Sequence, residues 1–184
     1  MNVAEYSAEI IRELSGTLSQ IDPAGGEKLA DAILRAKQIF TAGAGRSGFM
    51  VRAFAMRLMH MGFVSHVVGE TVTPNIEAGD LFVVGSGSGE TASLAAMAAK
   101  AKSLGAFVAL ISIFPGSTIG RMADVVIAVP APTPKVKSAA KSLQPLGSLF
   151  EQSLLLVLDA LILRLMEKQG QDSDTMYGKH ANLE

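Results

Sequence analysis

The feature that most constrains the fold of this chain is a series of five short apolar runs, which are separated by segments without this apolar pattern. Each run is rich in β-branched and aromatic residues, which is typical of a buried strand. Between them, residues 47–61 and 91–104 are predicted to form helices. Repeated strand-then-helix units predict a parallel sheet with right-handed crossovers, so we expect a flavodoxin-like α/β three-layer sandwich with a five-stranded parallel sheet. The predicted strands are residues 38–42, 64–68, 80–85, 107–113 and 125–129.

Further segments flank and connect this series. Residues 3–20 place apolar side chains at helical spacing. Asp22 and Pro23 offer an N-cap and a first-turn proline for a second helix at 25–36. Elsewhere the sequence predicts a connection at 71–78, a turn at 117–122, a loop at 131–141, and helices at 147–169 and 172–179.

Length and charge limit the class of protein. With 184 residues, the chain is expected to form a single domain, residues 1–184, large enough to bury a substantial core. Within it we expect N-terminal helices in 1–36, a parallel α/β core in 37–130 and C-terminal helices in 146–184. The net charge of −1 gives no reason to expect binding to nucleic acid or to an anionic membrane surface.

The absence of cysteine and of long apolar segments narrows the class further. Without cysteine the chain has no thiol catalysis, disulfide or thiolate metal site, which is compatible with a reducing cytoplasm. The most apolar helical stretch, residues 154–165, contains Asp159 and Arg164 and is too short to span a bilayer. No signal-peptide pattern begins the sequence. We therefore expect a cytoplasmic protein with no membrane partner.

A loop rich in glycine and hydroxyl groups follows the third predicted strand. It reads Ser-Gly-Ser-Gly-Glu-Thr over residues 86–91, here called the serine loop, and it leads into a helix. Glycines such as Gly87 let a ligand approach the backbone, and unpaired N–H groups at a helix start favour an anion. Ligands of open α/β sheets bind at the carboxyl ends of strands, where this loop is expected. We therefore predict a phosphate monoester bound by Ser86, Ser88 and Thr91, rather than a merely flexible turn.

The serine loop resembles the phosphate-binding signature of the sugar isomerase (SIS) domain family. Other segments resemble one branch of that family, the 6-phospho-3-hexuloisomerases. The resemblance implies an SIS fold and the interconversion of D-arabino-hex-3-ulose 6-phosphate and fructose 6-phosphate in the ribulose monophosphate pathway of formaldehyde assimilation. It also implies a homotetramer with shared active sites, no cofactor, and 3-hexulose-6-phosphate synthase as metabolic neighbour. The similar segments are TAGAGRSG at 41–48, FAMRLMHMG at 54–62, QPLGSLFEQ at 144–152 and KHANLE at 179–184.

The same resemblance assigns roles to individual residues. It adds Ser47 to the phosphate ligands and places Arg46 against the substrate. Glu151 becomes the catalytic base, whereas its spacing alone fits a partner of the helix dipole on a solvated face equally well. His180 takes the role of a catalytic histidine near the C-terminus, although on position alone it would be an ordinary tail residue. Glu90 is expected to orient the serine loop or to contact the substrate.

Two features of the sequence suggest other chemistry. Residues 43–48 satisfy the G-x-G-x-x-G pattern of dinucleotide-binding proteins, and Glu70 lies where a ribose-binding acid would be. Against this, the chain has no room for a separate catalytic domain, and the stronger anion-binding pattern follows the third strand rather than the first. Among the other histidines, His60 competes with His180 but is expected in the core or an interface, and His66 is expected to be structural.

Two other functions remain open at this stage. One is a different phosphosugar isomerase of the arabinose 5-phosphate type, and the other is a non-catalytic module that binds sugar phosphates. Such isomerases often have a C-terminal regulatory pair, and SIS sensors usually follow a basic DNA-binding domain; neither is found in this sequence. No His, Asp and Glu side chains occur at metal-ligand spacing, so we expect no metal site.

Overall fold

The structure is a computed structural model that describes residues 1–133 and 141–183. The predicted strands are present with bounds within one residue of those expected, and the expected turn at 117–122 forms a short helix. Most of the predicted loop at 131–141 lies outside the described residues, as does Glu184. The elements are α1 (Val3–Leu18), α2 (Pro23–Arg35), β1 (Ile39–Gly43), α3 (Gly45–His60), β2 (Ser65–Val67), β3 (Leu81–Gly85), α4 (Ala92–Ser103), β4 (Phe107–Ser112), α5 (Thr118–Met122), β5 (Val125–Ala128), α6 (Ser148–Gln169) and α7 (Ser173–Tyr177).

The five strands form one sheet in the order β2-β1-β3-β4-β5, and every neighbouring pair is parallel. This is the flavodoxin-like order, so the predicted fold class is confirmed. The direction of winding changes at β1, which lies between β2 and β3. In sheets of this kind the ends of the strands beside that change leave a crevice in which ligands bind.

Two separate cores cover the two faces of the sheet. Because successive side chains of a strand point to opposite faces, Leu81 and Val83 pack with α2, α3 and α6, while Phe82 and Val84 pack with α4 and α5. Burial on both sides explains why β3 and β4 read as continuous apolar runs rather than as alternating ones. No helix in the described part of the chain is both long and apolar enough to cross a membrane.

The glycines at the start of α3 allow an unusually close contact between this helix and the sheet. A Cβ atom on Gly48 would lie 2.8 Å from the carbonyl oxygen of Gly43, and one on Gly85 would lie 2.7 Å from a methyl group of Val51 and 2.9 Å from one of Leu154. No real side chain fits at such distances. The glycines at 43 and 48 in the G-x-G-x-x-G pattern are therefore accounted for by packing alone.

Helices α3 and α6 run side by side in the same direction. At their starts, Arg46 donates a hydrogen bond to Ser148 Oγ at 2.9 Å. At their ends, the side-chain amide of Gln171, just beyond α6, donates to the carbonyl of Met61, just beyond α3, at 3.3 Å. Both helices thus begin at the carboxyl edge of the sheet and end at the opposite edge.

The burial of α3 in the core can be tested through Leu58, which is fully buried. Replacing Leu58 with Ala should lower the free energy of unfolding by about 2–5 kcal/mol, since the deletion leaves a cavity in the core. The matched variant Leu104→Ala, at a residue that is 40% exposed, should lower it by less than about 1 kcal/mol. Denaturant unfolding measures both values, and equal losses would contradict the packing described here.

Candidate active site

Three helices that start at the carboxyl edge of the sheet lack a side-chain cap. The N-cap residues of α3, α4 and α6 are Ala44, Thr91 and Gly147, and none of them makes a side-chain capping hydrogen bond. The other four helices in the described residues are each capped by an Asn, Asp or Ser side chain. Uncapped helix starts present free N–H groups and the positive end of the helix dipole, so this edge suits an anion.

The serine loop is held in place by the loop that follows β4. The carbonyl oxygen of Gly87 accepts hydrogen bonds from the N–H of Ile113 at 3.1 Å and from Ser112 Oγ at 3.2 Å. The carbonyl oxygen of Gly89 accepts from the N–H of Ile119 at 3.1 Å. With its carbonyls engaged on one side, the loop has a fixed shape of the kind that a preformed binding site needs.

The predicted phosphate ligands lie on two neighbouring turns. Gly43 and Gly85, the last residues of β1 and β3, are paired in the sheet, so the turn that carries Ser47 and the serine loop leave it side by side. Ser47 and Ser86 are buried. Ser86 Oγ accepts a hydrogen bond from the N–H of Gly89 at 3.2 Å. The structure therefore places both hydroxyl-bearing turns at the same end of two adjacent strands.

Two further hydroxyl groups complete the serine loop. Ser88 Oγ accepts a hydrogen bond from the N–H of Glu90 at 3.2 Å. Thr91 is the N-cap residue of α4 and makes no capping hydrogen bond with its side chain. The hydroxyl of Thr91 is thus not engaged at the helix start where an anion would bind.

Glu90 points away from the hydroxyl groups and towards α5. Its carboxylate accepts a hydrogen bond from the N–H of Thr118 at 2.7 Å. Hydrogen bonding by the side chain of Thr118, and then by its backbone N–H, lowers the pKa of Glu90. The contact links the serine loop to the first turn of α5. Of the two roles expected from the sequence, the structure favours orientation of the loop over contact with a ligand.

Glu151 lies in the first turn of α6 and faces Arg46 of α3. The two side chains form an ion pair at 3.0 Å, and the Glu151 side chain is 19% exposed. Its apolar neighbours in the sequence, Leu149 and Phe150, point into the core instead. The carboxylate of Glu151 is therefore paired with a cation, while the apolar side chains next to it in the sequence face the core.

The first turn of α6 also reaches the serine loop. A Cβ atom on Gly87 would lie 3.1 Å from the ring of Phe150, so ring and loop are nearly in contact. This brings the Arg46–Glu151 pair next to the hydroxyl groups. Neither Phe150 nor Ser148, which accepts a hydrogen bond from Arg46, was singled out from the sequence, because each acts through a contact more than 60 residues away.

His180 lies at the opposite end of α3 and α6 from Glu151. Its ring stacks on the ring of His60, the last residue of α3, with 5.5 Å between ring centroids. His60 follows Arg46 by 14 residues in α3, which at the helical rise corresponds to about 21 Å. Within one chain, the structure therefore does not bring the two predicted catalytic residues together.

The remaining histidine, His66, makes its contacts within the sheet. Its ring is tilted by 34° against that of Phe40 with ring centroids 5.1 Å apart, and its Nε2 lies 2.9 Å from Gln38 Oε1, which agrees with a structural role. Among residues 1–133 and 141–183, no three His, Asp or Glu side chains are grouped so that they could hold a metal ion.

Comparison with known proteins identifies the family. Residues 32–160 match the SIS domain. The chain belongs to the SIS domain family. It is 56% identical over 185 residues to the 3-hexulose-6-phosphate isomerase of Bacillus subtilis, with full coverage of both chains, and 41% identical over 172 residues to that of Mycobacterium gastri, covering 94% of this chain and 86% of the relative.

A solved structure agrees with the family over the whole fold. A Methanococcus jannaschii protein, whose crystal structure infers the function of a 3-hexulose-6-phosphate isomerase, superposes with a TM-score of 0.84 at 35% identity. The superposition covers 98% of this chain and 99% of the other. The glycine pattern at 43–48 is thus part of an SIS domain, and the dinucleotide-binding interpretation has no support.

The fixed shape of the serine loop in this SIS domain can be tested at Gly89. Its φ is +61°, and a Cβ there would lie 2.0 Å from Ser117 Oγ, so Gly89→Ala must displace the loop. We expect this variant to bind inorganic phosphate at least about tenfold more weakly, which corresponds to about 1.4 kcal/mol. Isothermal titration calorimetry measures the affinity.

Gly116→Ala is the matched control, since nothing lies within 4 Å of a Cβ at that position. It should bind phosphate as the wild-type protein does. Wild-type affinity in Gly89→Ala would contradict the role of the serine loop as an anion site.

Proposed function

We propose that this chain is a 6-phospho-3-hexuloisomerase, which interconverts D-arabino-hex-3-ulose 6-phosphate and fructose 6-phosphate, and that residues 1–184 act as one SIS domain. The observation that carries the proposal is the Arg46–Glu151 pair next to a hydroxyl-rich loop, in a chain 56% identical to a 3-hexulose-6-phosphate isomerase. A loop of this kind suits the phosphate of the sugar, and a carboxylate beside it suits proton abstraction.

The phosphate binds to the turns at the ends of β1 and β3. Its ligands are the hydroxyls of Ser47, Ser86, Ser88 and Thr91 and the N–H groups at the uncapped starts of α3 and α4. Neutral hydroxyls and backbone N–H groups suffice for a monoester, because the helix ends supply the positive field. Fixing the phosphate here directs the carbon chain of the sugar towards α6.

Glu151 is the base of the reaction. It removes the proton from C2 of the 3-ketose, and the electrons of that C–H bond form a cis-enediolate across C2 and C3. The proton on O2 passes to O3, and protonation of C3 leaves the carbonyl at C2, so that one hydrogen has moved between neighbouring carbons. Arg46, 3.0 Å from Glu151, is placed to stabilise the negative charge of the enediolate.

The chemistry of the substrate limits what the second catalytic group has to do. A five-membered hemiketal at C3 would require O6, which the phosphate occupies, so the 3-ketose arrives in its open form. No acid is needed to open a ring in that direction. We assign to His180 the transfer of protons between O2 and O3, or ring opening of fructose 6-phosphate in the reverse direction.

His180 reaches this site from a second subunit. Because Glu151 and His180 lie at opposite ends of the parallel pair α3 and α6, an antiparallel contact between two copies sets the end carrying His180 against the partner's Glu151. Such a contact is self-complementary, as a two-fold axis requires. Each site then takes its base from one chain and its histidine from the other.

Exposed apolar side chains on α3 and α6 suit such a contact. Phe49 is 67% exposed and Leu163 is 66% exposed, and they lie towards opposite ends of the two helices. Exposed apolar side chains on neighbouring helices are typical of a subunit interface. Met56, Met59 and Leu156 on the same two helices are also exposed.

The wider setting follows from the proposed reaction. We expect a homotetramer made of two such pairs, in the cytoplasm, where sugar phosphates are metabolised. The enzyme that supplies the substrate, 3-hexulose-6-phosphate synthase, is then its metabolic neighbour. The phosphosugar substrate and a second copy of the chain are the partners that the proposed site itself requires.

Hydrogen exchange tests the reaction directly. Incubated with fructose 6-phosphate in deuterated water, the wild-type protein should place deuterium at C3, because the enediolate spans C2 and C3. Glu151→Gln should lose this exchange by several orders of magnitude, since the amide does not accept the proton, while phosphate binding is retained. NMR reads the position and the rate of labelling.

Glu167→Gln, near the other end of the same helix and 71% exposed, is the matched control and should exchange at the wild-type rate. Deuterium confined to C1 would identify an aldose isomerase instead. Wild-type exchange in Glu151→Gln would remove Glu151 as the base.

Mixing two inactive variants tests the shared site. When Glu151→Gln and His180→Ala subunits are co-expressed, each hybrid pair holds one intact site and one doubly altered site. Random pairing makes half of the pairs hybrid, so about a quarter of the wild-type rate should return. Turnover of the purified mixture is compared with that of each variant alone. No gain in the mixture would show that each chain builds its own site.

A further inference from the structure

His60 is a buried histidine that the proposed reaction does not use. It ends α3 and is 5% exposed. Its Nδ1 lies 3.3 Å from a guanidinium nitrogen of Arg57. Since arginine has no acceptor, Nδ1 of His60 is the acceptor, and the ring is the neutral form with its proton on Nε2. Burial above all, with the charges of Arg57 and His180, lowers the pKa of His60.

The ring of His180 is held mainly by stacking. It stacks on two rings: His60, with centroids 5.5 Å apart and planes 20° apart, and Tyr177, at 6.0 Å and 24°. Its Nδ1 is 3.2 Å from the carbonyl oxygen of the adjacent residue, Ala181. Tyr177 is 79% exposed. The buried surface on which His180 rests is therefore His60.

The short helix before His180 contacts the core through one half-buried side chain, Met176. Helix α7 has five residues, and none of them is buried. His60, by contrast, is the last residue of a 16-residue helix. Leu58, two residues before it in that helix, is fully buried. The ring of His60 is thus held by the core, and the ring of His180 rests against it.

We infer that His60 is a positioning residue: its ring sets the place and orientation of the His180 ring in the site of the partner subunit. This inference rests on the proposed function, because His180 needs a fixed orientation only if it transfers protons. The neutral state of His60 fits the role. A charged His60 would repel His180 whenever His180 held a second proton.

Two substitutions distinguish the contribution of the His60 ring from that of its hydrogen bond with Arg57. His60→Phe keeps an aromatic ring under His180 and loses the acceptor for Arg57, whereas His60→Gln keeps an acceptor and loses the ring. Misplacement of a catalytic group costs on the order of 10–100-fold. We expect His60→Gln to lower kcat by that factor with KM nearly unchanged, and His60→Phe to keep most of the wild-type kcat.

His66→Gln is the control, because His66 also contacts an aromatic ring and holds a side-chain hydrogen bond, but lies in β2. It should leave kcat at the wild-type value. The inference is overturned if His60→Gln turns over normally, or if His60→Phe loses as much as His60→Gln does.

Subunit mixing gives a second readout, which a general loss of stability would not produce. His60→Gln should regain activity when mixed with Glu151→Gln, because one site then combines an intact Glu151 with a correctly held His180. It should regain none when mixed with His180→Ala, since every histidine offered is either misplaced or missing. Equal recovery in both mixtures would overturn the inference.

The same set of mixtures separates this inference from the proposed function. If Glu151→Gln and His180→Ala fail to complement each other, the shared site is wrong. If they complement each other and His60→Gln also complements His180→Ala, the shared site stands and the role of His60 is wrong.

Discussion

The first turn of α3 lies directly against the end of β1, and no side chain fits between them. A Cβ on Gly48 would come within 2.8 Å of the Gly43 carbonyl oxygen, and one on Gly85 would overlap Val51 and Leu154. This close approach sets α3 and α6 on one face of the sheet at the point where its winding changes direction. The starts of both helices, and with them Arg46 and Glu151, are thereby brought to the end of β3.

The serine loop is fixed by different means. Hydrogen bonds from the segment after β4 engage the carbonyls of Gly87 and Gly89, and Glu90 accepts from the first turn of α5. Glycine packing thus positions the charged pair, and a hydrogen-bonded loop carries the hydroxyls of the proposed anion site beside it. The site depends on the glycine packing and on the hydrogen-bonded loop, and on the two lying next to each other in the sheet.

The fold could be predicted from the sequence because its signals are local. Apolar runs, glycine turns and the Asp22-Pro23 helix start each act within a few residues, and the strand bounds differ from those expected by one residue at most. The serine loop was predictable for the same reason. The partners of Glu90 and Glu151 were not, because Thr118 and Arg46 meet them through the sheet order and through the packing of α6 on α3. The place of His180 depends on the direction of those two helices, which no local pattern shows.

Three helix starts without side-chain caps also have a consequence for the protein when nothing is bound. An N-cap side chain stabilises a helix by about 0.5–2 kcal/mol, and α3, α4 and α6 lack one. A solute that binds only the folded form raises its stability by mass action, and an anion at this edge acts on several helix ends at once. With the proposed anion site, the thermal resistance of this chain is partly a property of the medium, and melting temperatures taken in phosphate and in an anion-poor buffer describe two different states.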